Sequence, residues 1–214
     1  MRKKERALEA VKRLEVLYPD AICSLNYEDE FQLLIATRLS AQCTDKRVNM
    51  VTPDLFKEFP TAQKMAVADL ARVEALIKTC GLYKTKAKDL IGIGAKIVSD
   101  FGGVVPDNIE DLTSLPGVGR KTANLVCGDI YKKPAVVTDT HFIRICNRLG
   151  LVDSEQPLKV ENEMRKLLPP DKSNDFCHRT VLFGRDICTA RNPKCETCVL
   201  TDICPKKKVL KNGK

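Results

Sequence analysis

With 214 residues, 43% of them hydrophobic, the chain has material for one large or two small packed domains, which excludes a disordered or fibrous protein. Lys and Arg number 36 against 28 Asp and Glu, a formal charge of +8, so a polyanion is the natural partner, although the same balance also serves solubility. No run of about eighteen apolar residues occurs, and the basic start Arg2, Lys3, Lys4, Arg6 leads into no signal-length apolar segment, so a cytoplasmic protein with no membrane partner is expected.

Apolar spacing is helical almost throughout and predicts about ten helices with no substantial strand. Val48, Val51, Leu55 and Phe59 repeat at three and four residues, as do Leu70, Val73, Leu76 and Ile77. Ala87, Leu90, Ile91, Gly94, Ile97, Val98 and Phe101 place a helix over 86–101, and further helices are predicted over 107–114 and 120–132. Breaks fall at Cys80-Gly81, Phe101-Gly102-Gly103, Leu115-Pro116-Gly117, Lys133-Pro134, Leu149-Gly150 and Leu168-Pro169-Pro170. Gly92-x-Gly94 follows no strand and sits in an unbroken apolar stripe, so it reads as a close helix contact, not a nucleotide loop. Separate cores are plausible before and after about Pro134.

Between the helices at 107–114 and 120–132 runs Leu115-Pro116-Gly117-Val118-Gly119-Arg120-Lys121. Gly117 and Gly119 let the backbone turn and approach another molecule, and the helix start beyond them offers unpaired N–H groups suited to phosphate. An ordinary helix–turn–helix connection is the alternative. Lys121 lies in the first turn of the next helix, where a cation is disfavoured and a neutral, nucleophilic amine gains. Downstream, Thr138-Asp139-Thr140-His141 opens another helix, and Asp139 reads as its N-cap or as a carboxylate serving Lys121.

Cys188, Cys195, Cys198 and Cys204 follow the spacing C-x6-C-x2-C-x5-C. Four thiolates on so short a loop suit a [4Fe–4S] cluster, a zinc ion or two disulfides, and the unequal outer gaps favour the bulkier cluster. The basic residues Arg185, Arg191 and Lys194 are placed either to touch phosphate or simply to face water. Cys23, Cys43, Cys80, Cys127, Cys146 and Cys177 are scattered among apolar neighbours, as buried free thiols in a reducing compartment are.

The hairpin, Thr138-Asp139-Thr140-His141 and the cysteine run together resemble bacterial-type endonuclease III. The similarity continues through Leu39-Ser40-Ala41-Gln42, Gly81-Leu82-Tyr83-x-x-Lys86-Ala87 and Val105-Pro106-Asp107. The resemblance implies an all-α helix-hairpin-helix DNA glycosylase fold, with a six-helix barrel over 23–134 and a helical cluster domain formed by 1–22 with 135–214. It implies a monomeric base excision repair enzyme near the nucleoid, acting on double-stranded DNA that contains damaged pyrimidines or abasic sites. Such an enzyme is both an N-glycosylase for oxidised pyrimidines and an AP lyase that cleaves by β-elimination. By the same resemblance Lys121 is the Schiff-base nucleophile and Asp139 the essential carboxylate. Gln42 and Leu82 enter the DNA stack, Gly117, Val118, Gly119 and Arg120 hold its backbone, and Cys188, Cys195, Cys198 and Cys204 ligate a [4Fe–4S] cluster.

Departures from the family pattern are Thr138 in place of an aliphatic residue, Phe183 where histidine is frequent, and the lack of any tryptophan, which implies different packing in the cluster domain. His141 reads as an orienting or packing residue and His178 is unassigned. Three rival functions share part of the pattern. Monofunctional adenine or thymine glycosylases usually carry Ser or Tyr in place of Lys121, 8-oxoguanine enzymes commonly lack the cluster, and a zinc-containing DNA-binding scaffold would have no chemistry at Lys121.

Overall fold

A computed structural model of the chain describes residues 1–207 and 209. Among the described residues are eleven α-helices, one 3₁₀ turn and no strand, the class that the apolar period predicts. In chain order they are α1 (Lys3–Leu17), α2 (Glu30–Ser40), α3 (Asp45–Glu58), α4 (Ala62–Ala66), α5 (Leu70–Ile77), α6 (Tyr83–Phe101), α7 (Ile109–Ser114) and α8 (Arg120–Asp129). Then come α9 (Thr140–Arg148), α10 (Pro157–Leu167), the 3₁₀ turn Pro170–Lys172 and α11 (Ser173–Asp186). The chain divides into two compact units, Cys23–Lys132 and Met1–Ile22 with Lys133–Lys214, the second boundary falling just before Pro134.

In Cys23–Lys132 the helix starts are written in short polar side chains. Asp29, Thr44, Thr61, Asp69 and Asn108 each accept a hydrogen bond from the backbone N–H three residues on, capping α2, α3, α4, α5 and α7. Side-chain caps are missing at α6, which begins behind Leu82, and at α8, which begins behind Gly119. Helix ends differ from the periodicity in an instructive way. The helix predicted over 86–101 begins at Tyr83, because periodicity marks the buried face and not the first exposed turn. The one predicted over 107–114 begins at Ile109 because Asn108 caps Asp111 N at 2.9 Å, and the one over 120–132 stops at Asp129, ahead of Lys132 at φ 52°.

The core of this unit forms around α2, which buries Phe31, Leu33, Leu34, Ile35, Ala36 and Leu39 on nearly all sides. Lys86 of α6 is fully buried, and its ammonium donates to Leu39 O at 2.8 Å near the C-terminal end of α2, where orphan carbonyls need donors. The Gly92-x-Gly94 pair is the close contact that the sequence implies. A Cβ at Gly94 would lie 2.8 Å from both Ala62 O and Ala66 N of α4, and one at Gly92 would lie 3.1 Å from Cγ of Pro116.

The other unit packs α9 and α1 on α11, and α1 also meets α10. Phe142 and Phe176 meet edge to face at 6.0 Å, and with buried Phe183 they supply the aromatic bulk of a core without tryptophan. Arg13 of α1 donates to Val199 O at 2.8 Å and pairs in a fork with Asp202, so the first helix is tied to the cysteine-bearing segment.

Gly94→Ala should lower unfolding stability by about 1–3 kcal/mol, the range for overpacking, because the atoms in the way are backbone. Gly92→Ala, facing only the edge of a proline ring, should lower it less. Urea midpoints of the two variants check the order.

Candidate functional site

Four neighbourhoods hold the residues singled out from the sequence. In the hairpin, Gly117 has φ +66°, and a Cβ there would lie 2.6 Å from Oδ2 of Asp89. Asp89 is bound to Arg38, whose Nε donates to it at 3.0 Å, so a partly buried ion pair linking α6 and α2 forms the floor of the turn. Gly119 has an ordinary φ of −95°, and a Cβ there would meet nothing within 4 Å. The fold therefore requires glycine at 117 but leaves open space at 119, at the one residue where Ser or Asp would ordinarily cap α8. Val118 is buried and Arg120 exposed. Lys121, the second residue of α8, is exposed and makes no hydrogen bond or ion pair among the described residues.

Gln42 and Leu82 are brought together. Both have left-handed backbones, φ 53° and 59°, in which a branched side chain such as Leu82 is strained. Leu82 is nevertheless 60% exposed, and a Cβ at the neighbouring Gly81 would lie 3.2 Å from Gln42 O, so the two turns touch. A large apolar side chain held out in water on a strained backbone gains nothing for the fold.

Asp139 and Lys121 belong to different units. Asp139 Oδ1 accepts from Phe142 N at 2.7 Å, a true N-cap of α9, and its second oxygen has no hydrogen-bond partner among the described residues. His141 lies against Gly184, with Nδ1 3.1 Å from Arg144 Nη2, and burial lowers its pKa, so a neutral, packing imidazole fits better than a cation.

All four cysteines of the C-terminal run line a single apolar cavity, open at its mouth, together with Ile145, Leu149, Phe183, Ile187 and Leu200. The loop is aimed inward by α9. Arg148, 5% exposed, donates to Thr189 O at 2.7 Å, Ala190 O at 2.9 Å and Cys188 Sγ at 3.3 Å, and Arg144 donates to Cys188 O at 2.9 Å and Gly184 O at 3.1 Å. Backbone N–H groups of Leu200 and Lys206 point at Cys198 Sγ and Cys204 Sγ, each at 3.4 Å. Burial pushes the thiols of Cys198 and Cys204 up, and the neighbouring cysteine sulfurs add to the rise, so bare thiolates at these two positions are disfavoured without a cation.

Comparison with known proteins assigns the pattern. Residues 35–170 match the HhH-GPD superfamily of base excision DNA repair proteins, and 188–204 match the iron–sulfur binding domain of endonuclease III. Endonuclease III of Synechocystis is 46% identical over 95% of this chain and 93% of its own length, and that of Escherichia coli K12 is 37% identical over 94% and 95%. A solved structure of a trapped endonuclease III–DNA covalent intermediate superposes with a TM-score of 0.90 at 37% identity, covering 96% of this chain and 97% of that one. The chain belongs to the endonuclease III family. It is accordingly a base excision repair enzyme, a DNA glycosylase and AP lyase, on the helix-hairpin-helix glycosylase fold.

The family's cofactor is a [4Fe–4S] cluster, and the donor set fits it. The four cysteines of the run line one cavity, and four soft thiol donors are the donor chemistry of an iron–sulfur group. The N–H donors to Cys198 and Cys204 partly offset the rise that burial imposes on their thiols. When bound, the cluster supplies four metal–sulfur cross-links within the loop. Sequence reasoning missed Arg144 and Arg148 as the braces of this loop. The available signal was an arginine at 148 in the same apolar stripe as Ile145 and Leu149, where a solvated cation has no place. The Arg38–Asp89 floor, split across two helices, left no local trace.

Arg148→Lys exchanges a planar fork for a single ammonium that cannot reach the same carbonyls. We expect it to lower unfolding stability by about 1–3 kcal/mol, the loss for buried acceptors left unpaired, with reduced iron per protein. Urea unfolding and iron assay on one preparation test this.

Proposed function

We propose that the enzyme removes oxidised pyrimidines from duplex DNA and cuts the strand at the resulting abasic site, acting as a monomer, with Lys121 as nucleophile and Asp139 as its supporting carboxylate. The observation that carries this reading is the state of Lys121: an exposed, unengaged amine in the first turn of the uncapped helix α8, directly behind a glycine hairpin. The trapped covalent intermediate on DNA belongs to a relative 37% identical to this chain, and it is the kind of adduct such an amine forms.

The extruded nucleotide exposes its sugar C1′ to the Lys121 amine. As the C1′–N bond to the base breaks, the lysine nitrogen bonds to C1′, and the base leaves with the electron pair and takes up a proton. Asp139 holds α9 with one oxygen and keeps the other to accept the lysine proton or to face the developing positive charge. Ring opening gives an iminium between Lys121 and C1′. Loss of the C2′ proton sends its electron pair toward that iminium and expels the 3′ phosphate, which breaks the strand.

The grip on duplex is sequence-indifferent. The start of α8, which has no side-chain cap, and the side-chain-free Gly119 suit a phosphate, with Val118 anchoring the turn and Arg120 adding charge. Exposed Arg185, Arg191 and Lys194 supply further charge near the cysteine loop. Gln42 and Leu82, strained and exposed, suit insertion into the gap left by the flipped base, where the apolar Leu82 side chain would leave water.

Borohydride trapping on duplexes that carry thymine glycol, 8-oxoguanine or a bare abasic site tests the substrate class. Thymine glycol and the abasic site should trap and 8-oxoguanine should not. Lys121→Gln should abolish the trapped complex while duplex affinity stays within a few-fold, and trapping at the wild-type level would refute the assignment.

Asp139→Asn should retain the cap, since Asn caps as well as Asp, and lose about a hundredfold in glycosylase rate. An unchanged rate with a lowered melting temperature would leave Asp139 only its capping role.

Affinity for undamaged duplex should fall steeply with salt as counterions are released. Gln42→Ala and Leu82→Ala should instead weaken the preference for abasic over undamaged duplex. Titrations of both duplexes across a salt series separate the two effects.

A further inference from the structure

The turns that carry Gln42 and Leu82 also carry a pair of thiols. Gln42 O and Gly81 are in backbone contact, and each neighbours a cysteine, Cys43 on one turn and Cys80 on the other. Burial, and then the Cys43 sulfur beside it, push the Cys80 thiol up to about 11. Cys80 is 1% exposed, whereas Cys43 is open to solvent in part, unlike Cys146 and Cys177 in the other unit, which are both sealed. Lys86 lies near both sulfurs. Its amine is fully buried, donates to Leu39 O at 2.8 Å and has no carboxylate partner among the described residues, and burial lowers its pKa. A partly open thiol and a sealed one on two touching turns is the arrangement of an attacking and a resolving cysteine.

We propose that Cys43 and Cys80 form a modification site at which a low-molecular-weight disulfide converts the dithiol into an internal disulfide, tying the Gln42 turn to the Leu82 turn. Cys43, as thiolate, attacks one sulfur of the reagent, breaks its S–S bond and releases one thiolate, leaving a mixed disulfide on Cys43. The Cys80 sulfur then attacks the Cys43 sulfur and expels the second thiolate, while the Cys80 proton passes to a departing thiolate. Two protein thiols are oxidised and one reagent disulfide is reduced to two thiols. The link joins two residues flanking left-handed positions, so it fixes Gln42 and Leu82 relative to each other. Its effect on DNA rests on the reading of those two residues as the inserting pair.

The holoprotein, reduced and freed of reductant without oxygen, is incubated with oxidised glutathione, alkylated and digested, and its peptides are weighed, while visible absorbance follows the cluster in the same sample. The peptides of Cys43 and Cys80 should be recovered as one disulfide-linked species that reductant separates, with the cluster absorbance unchanged. Cys43→Ser should form no link and keep Cys80 as a thiol. A stable glutathione adduct on Cys43 with Cys80 still a thiol would overturn the proposal, and so would recovery of both as free thiols. Linked wild-type protein should bind abasic duplex several-fold more weakly, with recovery on reduction, and Cys43→Ser should be indifferent to the reagent. A link with unchanged affinity would overturn the restraint on insertion, whereas Gln42→Ala judges the insertion reading by itself in reduced protein.

Discussion

A guanidinium taken out of water must be met by acceptors on nearly every side, and Arg148 satisfies that demand by organising a loop that has no regular structure of its own. It collects the carbonyls of Thr189 and Ala190 and the sulfur of Cys188, leaving only its Nε without a partner. Irregular backbone is ordinarily expensive to bury because its carbonyls lack donors. Here the donors come from a helix, so the cysteines are presented by the rigid side of the site. Because α9 also begins at Asp139, one nine-residue helix fixes both a candidate catalytic carboxylate and the mouth of the cluster cavity.

In Cys23–Lys132 several departures from good folding practice coincide with the residues singled out from the sequence. Five helices there have polar caps, and the two that lack them begin at Leu82 and Gly119. Strained left-handed residues lie at Gln42 and Leu82, and a cation is buried at Lys86 without an acid. Each such feature costs on the order of 1–3 kcal/mol. A sequence tuned only for stability would place Ser or Asp before α8 and glycine at 82. Departures from local rules at such positions are what a site that must meet another molecule is expected to show.

How far the sequence could be read follows from the same distinction. Helical periodicity, the Leu115–Lys121 hairpin, the Asp139 cap and the cysteine run are local patterns, and each is legible because its physics is complete within a few residues. Gly94 could be read as a packing glycine for the same reason: a small residue in an apolar stripe implies a close neighbour. The Arg38–Asp89 pair, the Arg148 braces and the meeting of Cys43 with Cys80 depend on tertiary return, and the intervals between partners carry no periodic signal. Left-handed Gln42 and Leu82 were invisible for a different reason, since neither residue type announces a positive φ. Only the resemblance picked them out, and the backbone supplied an independent physical mark.

The division of the chain has a consequence for how it comes to be made. Cys23–Lys132 is contiguous, so all its contacts are available while later residues are still being added. The other unit needs α1 to find α10 and α11, and Arg13 to find Asp202, partners that lie far downstream. During synthesis at roughly 5–20 residues per second, α1 waits roughly 8–35 seconds with Ala7, Ala10, Val11 and Leu14 uncovered. That amphipathic helix is the part of the nascent chain most in need of a chaperone.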